Sequence, residues 1–192
     1  MASKTDWRYK RRADLTASSH PFKKVERENS MSDNREHLID LAAYLKDLHV
    51  VDDDGHLADV LLLTCMDFRF FVTISELMKG VKYDHVILAG AALGAVVPER
   101  EYWHRTFFDH LDLARDLHQV PAVLVMEHRD CGAYGPKGFG LLPAKPTPEE
   151  ERQAHYDQVA ELRKEIPLFL GFTALLLDKP SRTDAFTCDQ LI

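Results

Sequence analysis

Cysteine is scarce in this sequence: Cys65, Cys131 and Cys188 are the three among 192 residues. So small and odd a set argues against a disulfide framework. It suits thiols kept reduced, with Cys65 and Cys131 as thiolate ligands in a cytoplasmic protein. Cys188, four residues from the end, is expected to be a bystander. No apolar run reaches about 18 residues, so no membrane span is expected. The first residues also lack the apolar core of a secretory leader. Gly90 and Gly94 do not have the spacing of a dinucleotide-binding loop. Asp52-Asp53-Asp54-Gly55 lacks the ligand spacing of a calcium loop and reads as an acidic turn.

Charge is abundant but unevenly placed. Residues 1–30 hold eight Lys or Arg against four acids, so they carry +4 and leave −11 on the other 162 residues of a chain with net charge −7. An acidic body is a poor nucleic-acid binder, and no nucleic-acid motif is visible. Residues 1–30 have few large apolar side chains and no period, and are expected to form a flexible basic arm. Docking of that arm to an anionic surface or a partner protein is the second reading. Residues 31–192 are expected to fold as a single domain.

Hydrophobic periodicity orders that domain. Leu38, Leu41, Ala42, Leu45 and Leu48 predict an amphipathic helix over about 34–48. Residues 58–64 predict a strand buried on both faces. A short helix is expected over 71–79, a strand over 84–88, a long helix over 100–118 and a strand over 122–126. The Gly/Pro-rich stretch 132–148 reads as a surface loop, followed by a helix over 149–166 and a strand over 169–177. Between the second strand and the long helix, the small residues Ala89 to Gly94 would let backbone pack closely. No internal repeat is evident. Helix and strand thus alternate, which implies an α/β fold with a mainly parallel central sheet flanked by helices. In such sheets, sites form outside the carboxyl ends of the strands.

Two strands end in chemistry. Val60-Leu61-Leu62-Leu63 leads into Cys65-Met66-Asp67-Phe68-Arg69, and Ala122-Val123-Leu124-Val125-Met126 leads into His128-Arg129-Asp130-Cys131-Gly132. Cys65, His128 and Cys131 supply thiolate and imidazole, the donors zinc prefers, and three ligands leave the fourth position to water. Asp67 and Arg69, two apart on an extended segment, are expected to point the same way and to pair. Released from Arg69, Asp67 would be a possible fourth ligand that closes the site. Asp130 is expected to face solvent or to stand behind the ligands. His85, His104, His110 and His118 read as structural, and His155 with Glu151 as an ordinary surface pair on a helix.

Cys65-x-Asp67-x-Arg69 and His128-x-x-Cys131-Gly132 together resemble the two halves of the β-class carbonic anhydrase signature, and the resemblance spans roughly residues 34–178. It implies a Zn2+ enzyme, a carbonate dehydratase that reversibly hydrates carbon dioxide to bicarbonate and a proton through a zinc-bound hydroxide. Cys65, His128 and Cys131 would hold the metal, with the Asp67–Arg69 dyad beside it. A homodimer or higher homo-oligomer is also implied. Two alternatives stand beside this reading: hydrolysis of COS or CS2 by the same family, and an inactive zinc-containing scaffold whose basic arm docks to a partner. The chain departs from the family where Leu88-Ala89-Gly90 replaces the usual Asn-Ala-Gly, and in the short, Gly/Pro-rich segment after Cys131.

Overall fold

The computed structural model describes residues 56–178 and 188–192. The basic arm over 1–30, the helix expected over 34–48 and the turn at 52–55 lie outside the described residues. The Leu/Val run folds as β1 (Val60–Thr64), buried at all five positions. After it come α1 (Phe68–Leu77), β2 (Tyr83–Ile87), α2 (Ala92–Val96), a 3-10 turn (Pro98–Arg100) and α3 (Glu101–His118). Then follow β3 (Ala122–His128), α4 (Pro148–Glu165), β4 (Gly171–Leu177) and β5 (Cys188–Gln190).

The strands form one sheet in the order β2-β1-β3-β4-β5. The first four are parallel and β5 runs antiparallel to β4. The expected α/β fold with a mainly parallel sheet is what the chain adopts. Alternation along the strands divides the core in two. Leu61, Leu63, Val123, Val125, Ala174 and Leu176 face the layer that holds Ala92, Phe107, Leu111, Val159 and Leu162 of α2, α3 and α4. Val60, Leu62, Leu124, Met126 and Leu175 face Phe70 and Ile74 of α1.

Several boundaries differ from expectation for identifiable reasons. α1 begins at Phe68, three residues early, because the Asp67 carboxylate accepts the Arg69 backbone N–H at 3.0 Å and caps the helix. β3 runs on through Glu127 and His128, both buried, so His128 belongs to the strand and not to a loop beyond it. α4 starts at Pro148 behind a capping box, in which Thr147 Oγ1 accepts the Glu150 N–H and Glu150 accepts the Thr147 N–H. The helix α2 and the three-residue strand β5 are too short to leave a period in the sequence. The stretch after Cys131 is largely exposed, as expected of a loop, but Tyr134 within it is fully buried. Among the described residues no helix is long and apolar enough to cross a membrane.

The small residues at 89–94 do bring backbone close. A Cβ at Gly90 would stand 3.0 Å from Ala133 Cβ, and one at Gly94 would stand 2.7 Å from the Ala89 carbonyl oxygen and 2.9 Å from Leu88 Cβ. Replacing a helical glycine by alanine ordinarily gains up to about 1 kcal/mol of helix propensity. At Gly94 the clash with backbone reverses that sign. We expect Gly94→Ala to destabilise the fold by about 1–3 kcal/mol in urea unfolding; a higher urea midpoint would show that the contact has slack.

Candidate metal centre

Strand order decides where the site forms. β1 connects to β2 on one side while β3 lies on the other, so the carboxyl ends of β1 and β3 flank a topological switch point. Thr64 is in register with Met126, which brings Cys65, the next residue, alongside the end of β3. Cys131 returns to the same place through a tight turn in which Asp130 adopts a left-handed φ of 57°.

The ligand atoms of Cys65, His128 and Cys131 all lie within 4.8 Å of one another. Cys65 Sγ and Cys131 Sγ are 3.8 Å apart. Two sulfurs bound at about 2.3 Å to one tetrahedral zinc would be separated by about 3.8 Å, so the spacing fits the ion. His128 Nδ1–H donates to the Arg129 carbonyl at 2.9 Å, and its ring stacks on Phe70 with centroids 4.4 Å apart. Those contacts fix the ring with Nε2 turned into the site, where it is a buried nitrogen with no hydrogen-bond partner. A buried imidazole nitrogen without a hydrogen-bond partner, facing two thiols, is the donor set that suits a metal ion. The group can therefore hold a metal ion.

The thiols are set up asymmetrically. The hydrogen bond between the Cys131 and Cys65 sulfurs, with His128 and the Gly90 N–H (3.3 Å) beside it, holds the Cys65 thiol well below its ordinary value. Cys131 is pushed up by the same bond to the Cys65 thiolate, and burial adds to it.

Asp67 and Arg69 pair, though not through extended backbone. As the cap and the second residue of α1 they are folded back on one another. Arg69 Nε donates to both carboxylate oxygens at 2.9 and 3.0 Å, and its terminal nitrogen to Oδ2 at 2.6 Å. The same guanidinium donates to the Asp130 carboxylate and carbonyl, each at 2.9 Å, so Asp130 is exposed and also stands behind the site. Asp67 Oδ2 lies 3.8 Å from His128 Nε2.

Three further polar residues surround the site without a signal in spacing. His155 is not a surface residue: it is fully buried, and its Nδ1–H donates to Glu127 Oε2 at 3.0 Å rather than to Glu151. The i, i+4 reading failed because α4 turns both side chains inward, onto β3 and the turn after it. Glu127 Oε1 accepts the Ala92 N–H at 2.8 Å. Glu151 accepts the Asp130 N–H and stands 3.5 Å from the Arg129 guanidinium. Glu127 interrupting an apolar strand was the visible clue. Of the other histidines, His118 donates to Asp84 at 2.8 Å and His104 lies 2.8 Å from Glu165. His85 bonds Thr64 at 2.8 Å and His110 bonds the Thr106 carbonyl at 2.7 Å. All four lie outside the ligand group.

No family model matches the chain. It is 34% identical over 111 residues to an uncharacterised protein of Rickettsia bellii (strain RML369-C), covering 56% of this chain and 66% of that one. An uncharacterised protein of Rickettsia conorii (strain ATCC VR-613 / Malish 7) is 33% identical over 104 residues, covering 50% and 56%. The chain thus spans between half and two thirds of the length of these relatives. Among solved structures, the carbonic anhydrase from Streptococcus mutans superposes with a TM-score of 0.47 at 17% identity, covering 79% of this chain and 92% of that one. The β-carbonic anhydrase isoform I from Trichomonas vaginalis gives 0.47 at 16% identity over the same shares. A carbon disulfide hydrolase gives 0.38 at 18%, covering 67% and 81%. The chain is similar in structure to β-carbonic anhydrases.

The dyad makes a pH prediction. Hydrogen bonding to Arg69 lowers the Asp67 carboxyl from 3.8 to about 2. Because its folded value is depressed, the stability it adds is fully present above 3.8 and is lost as pH falls toward about 2. In a carbon-13 NMR titration, Arg69→Ala should raise Asp67 from about 2 toward 3.8. A value that stays near 2 would assign the effect to the retained backbone N–H of residue 69 and to His128 instead.

Proposed function

We propose that this chain is a zinc-dependent enzyme that reversibly hydrates carbon dioxide to bicarbonate and a proton. The observation that carries the proposal is the placing of an ionised, Arg-held carboxylate 3.8 Å from the orphaned Nε2 of a Cys–His–Cys group. Three ligands and a polar acceptor at the open side suit catalysis. A purely structural zinc site is closed by a fourth protein ligand.

Cys65, His128 and Cys131 would hold the ion. When bound there, zinc lowers the pKa of a water ligand to about 7 and so makes a nucleophile available at neutral pH. The rest falls to the chain. Asp67, kept ionised by Arg69, can only accept hydrogen bonds, so it orients the reacting water's proton toward itself and leaves a lone pair for the carbon of CO2. Arg69 also restrains Asp67 from turning onto the metal. Asp130 holds the other side of the guanidinium, so the dyad is fixed from two directions. Water adds its oxygen to carbon, bicarbonate leaves, and the proton passes to buffer.

Purified, zinc-loaded protein should hydrate CO2 above the buffer rate in a stopped-flow indicator assay at mildly alkaline pH. Asp67→Asn should reduce kcat by about a hundredfold or more while zinc stays bound. Stoichiometric zinc with no rate above buffer in the parent protein would overturn the proposal. Turnover of CS2 in place of CO2 would move the assignment to the hydrolase alternative.

A further inference from the structure

The segment that carries two of the three ligands, His128 to Cys131, is gripped from one helix. His155 and Glu151, one turn apart on α4, meet the segment at one point and its two flanks at one point each. His155 Nδ1–H donates to Glu127, the residue before His128, at 3.0 Å. The other side of the same imidazole lies against Tyr134, three residues past Cys131, with ring centroids 4.0 Å apart. Between those two contacts Glu151 accepts the N–H of Asp130, whose left-handed backbone points it at the helix.

Strand geometry explains why the grip comes from this side. Successive residues of β3 face opposite layers. His128 faces α1 and stacks on Phe70, so Glu127 faces α4 and can be held there without entering the ligand set. Its second oxygen reaches the Ala92 N–H at the start of α2. That bond fixes the Gly90–Ala91 turn, which directs the Gly90 N–H at Cys65 Sγ. One carboxylate thereby links the strand bearing His128 to the turn that supports Cys65.

Glu127, His155 and Tyr134 are each fully buried. An apolar trio of the same volume would pack without any need for partners, and a buried carboxylate costs stability unless its bonds are made. We propose that Glu127, His155 and Glu151 are positioning residues that preorganise the metal centre, with the Glu127–His155 hydrogen bond as the element that aims the ligand segment. This rests on the reading of Cys65, His128 and Cys131 as metal ligands.

Cobalt(II) tests the two layers separately, because thiolate-to-cobalt and d–d bands report coordination without any need for turnover. The parent protein should show the bands of a tetrahedral two-sulfur site. His155→Leu should weaken cobalt binding by about 10- to 100-fold in chelator competition and alter the bands. His155→Asn returns a donor at the position of Nδ1 and should recover most of the affinity. His155→Phe keeps a ring against Tyr134 without the donor and should not. Glu151→Ala, at the rim of the core, should weaken binding too, and it serves where His155→Leu does not fold. Parental affinity and bands in His155→Leu or, where that variant does not fold, in Glu151→Ala would overturn the positioning role alone. Recovery by Phe equal to that by Asn would also do so, by reducing His155 to packing. Absence of thiolate bands in the parent protein would overturn the metal reading and the positioning role together.

Discussion

Parallel pairing of β1 with β3 is the constraint on which the rest depends. The two strands are adjacent in space but are separated in the chain by β2, three helices and a 3-10 turn. Their contact is made by residues buried on both faces, Leu61 to Thr64 against Val123 to Met126. A one-residue slip would send Leu61 and Leu63 into the wrong layer and would carry Cys65 away from His128. The hydrophobic pattern that gives the sheet its register thus also sets the spacing of Cys65 from His128. Core and site are specified by the same pairing.

The dyad depends on a second constraint, the start of α1. A carboxylate at the cap satisfies an otherwise unpaired backbone N–H. Here Asp67 does so for Arg69 and in the same geometry receives the Arg69 side chain. Capping therefore brings the two residues together without a loop built for that purpose. The apolar face of α1 supplies Phe70, which packs against His128, so this short helix supports both Asp67 and His128.

These differences explain what could be read in the sequence and what could not. The strands expected over 58–64 and 122–126 were legible because continuous Leu/Val runs leave little choice of environment. Cys65, His128 and Cys131 were expected to meet because each follows such a strand on one edge of the sheet, and their donor atoms lie within 4.8 Å of one another. The pairing of Asp67 with Arg69 was expected for the wrong local reason, since extended alternation and a helix cap both place residues two apart within reach. His155 was misread because its periodic neighbour Glu151 offered a surface partner. Its real partners, Glu127 and Tyr134, are 28 and 21 positions away in the chain, so no local pattern records them.

Glu127 deserves a different weight from an ordinary buried acid. It continues the apolar series of Val123 and Val125 on one face of β3, where a valine side chain would need no hydrogen-bond partners of its own. Both its oxygens are nonetheless used, one by α2 and one by α4. Helices packed on a sheet by apolar contacts alone can slide by fractions of an ångström, because such contacts have no direction. A carboxylate bonded to both helices from the end of the strand removes that freedom beside the ligands. A metal site tolerates little such error, since its ligand distances must hold within about 0.2 Å. On the proposed metal reading, the polar interruption at Glu127 serves the geometry needed one residue later, at His128.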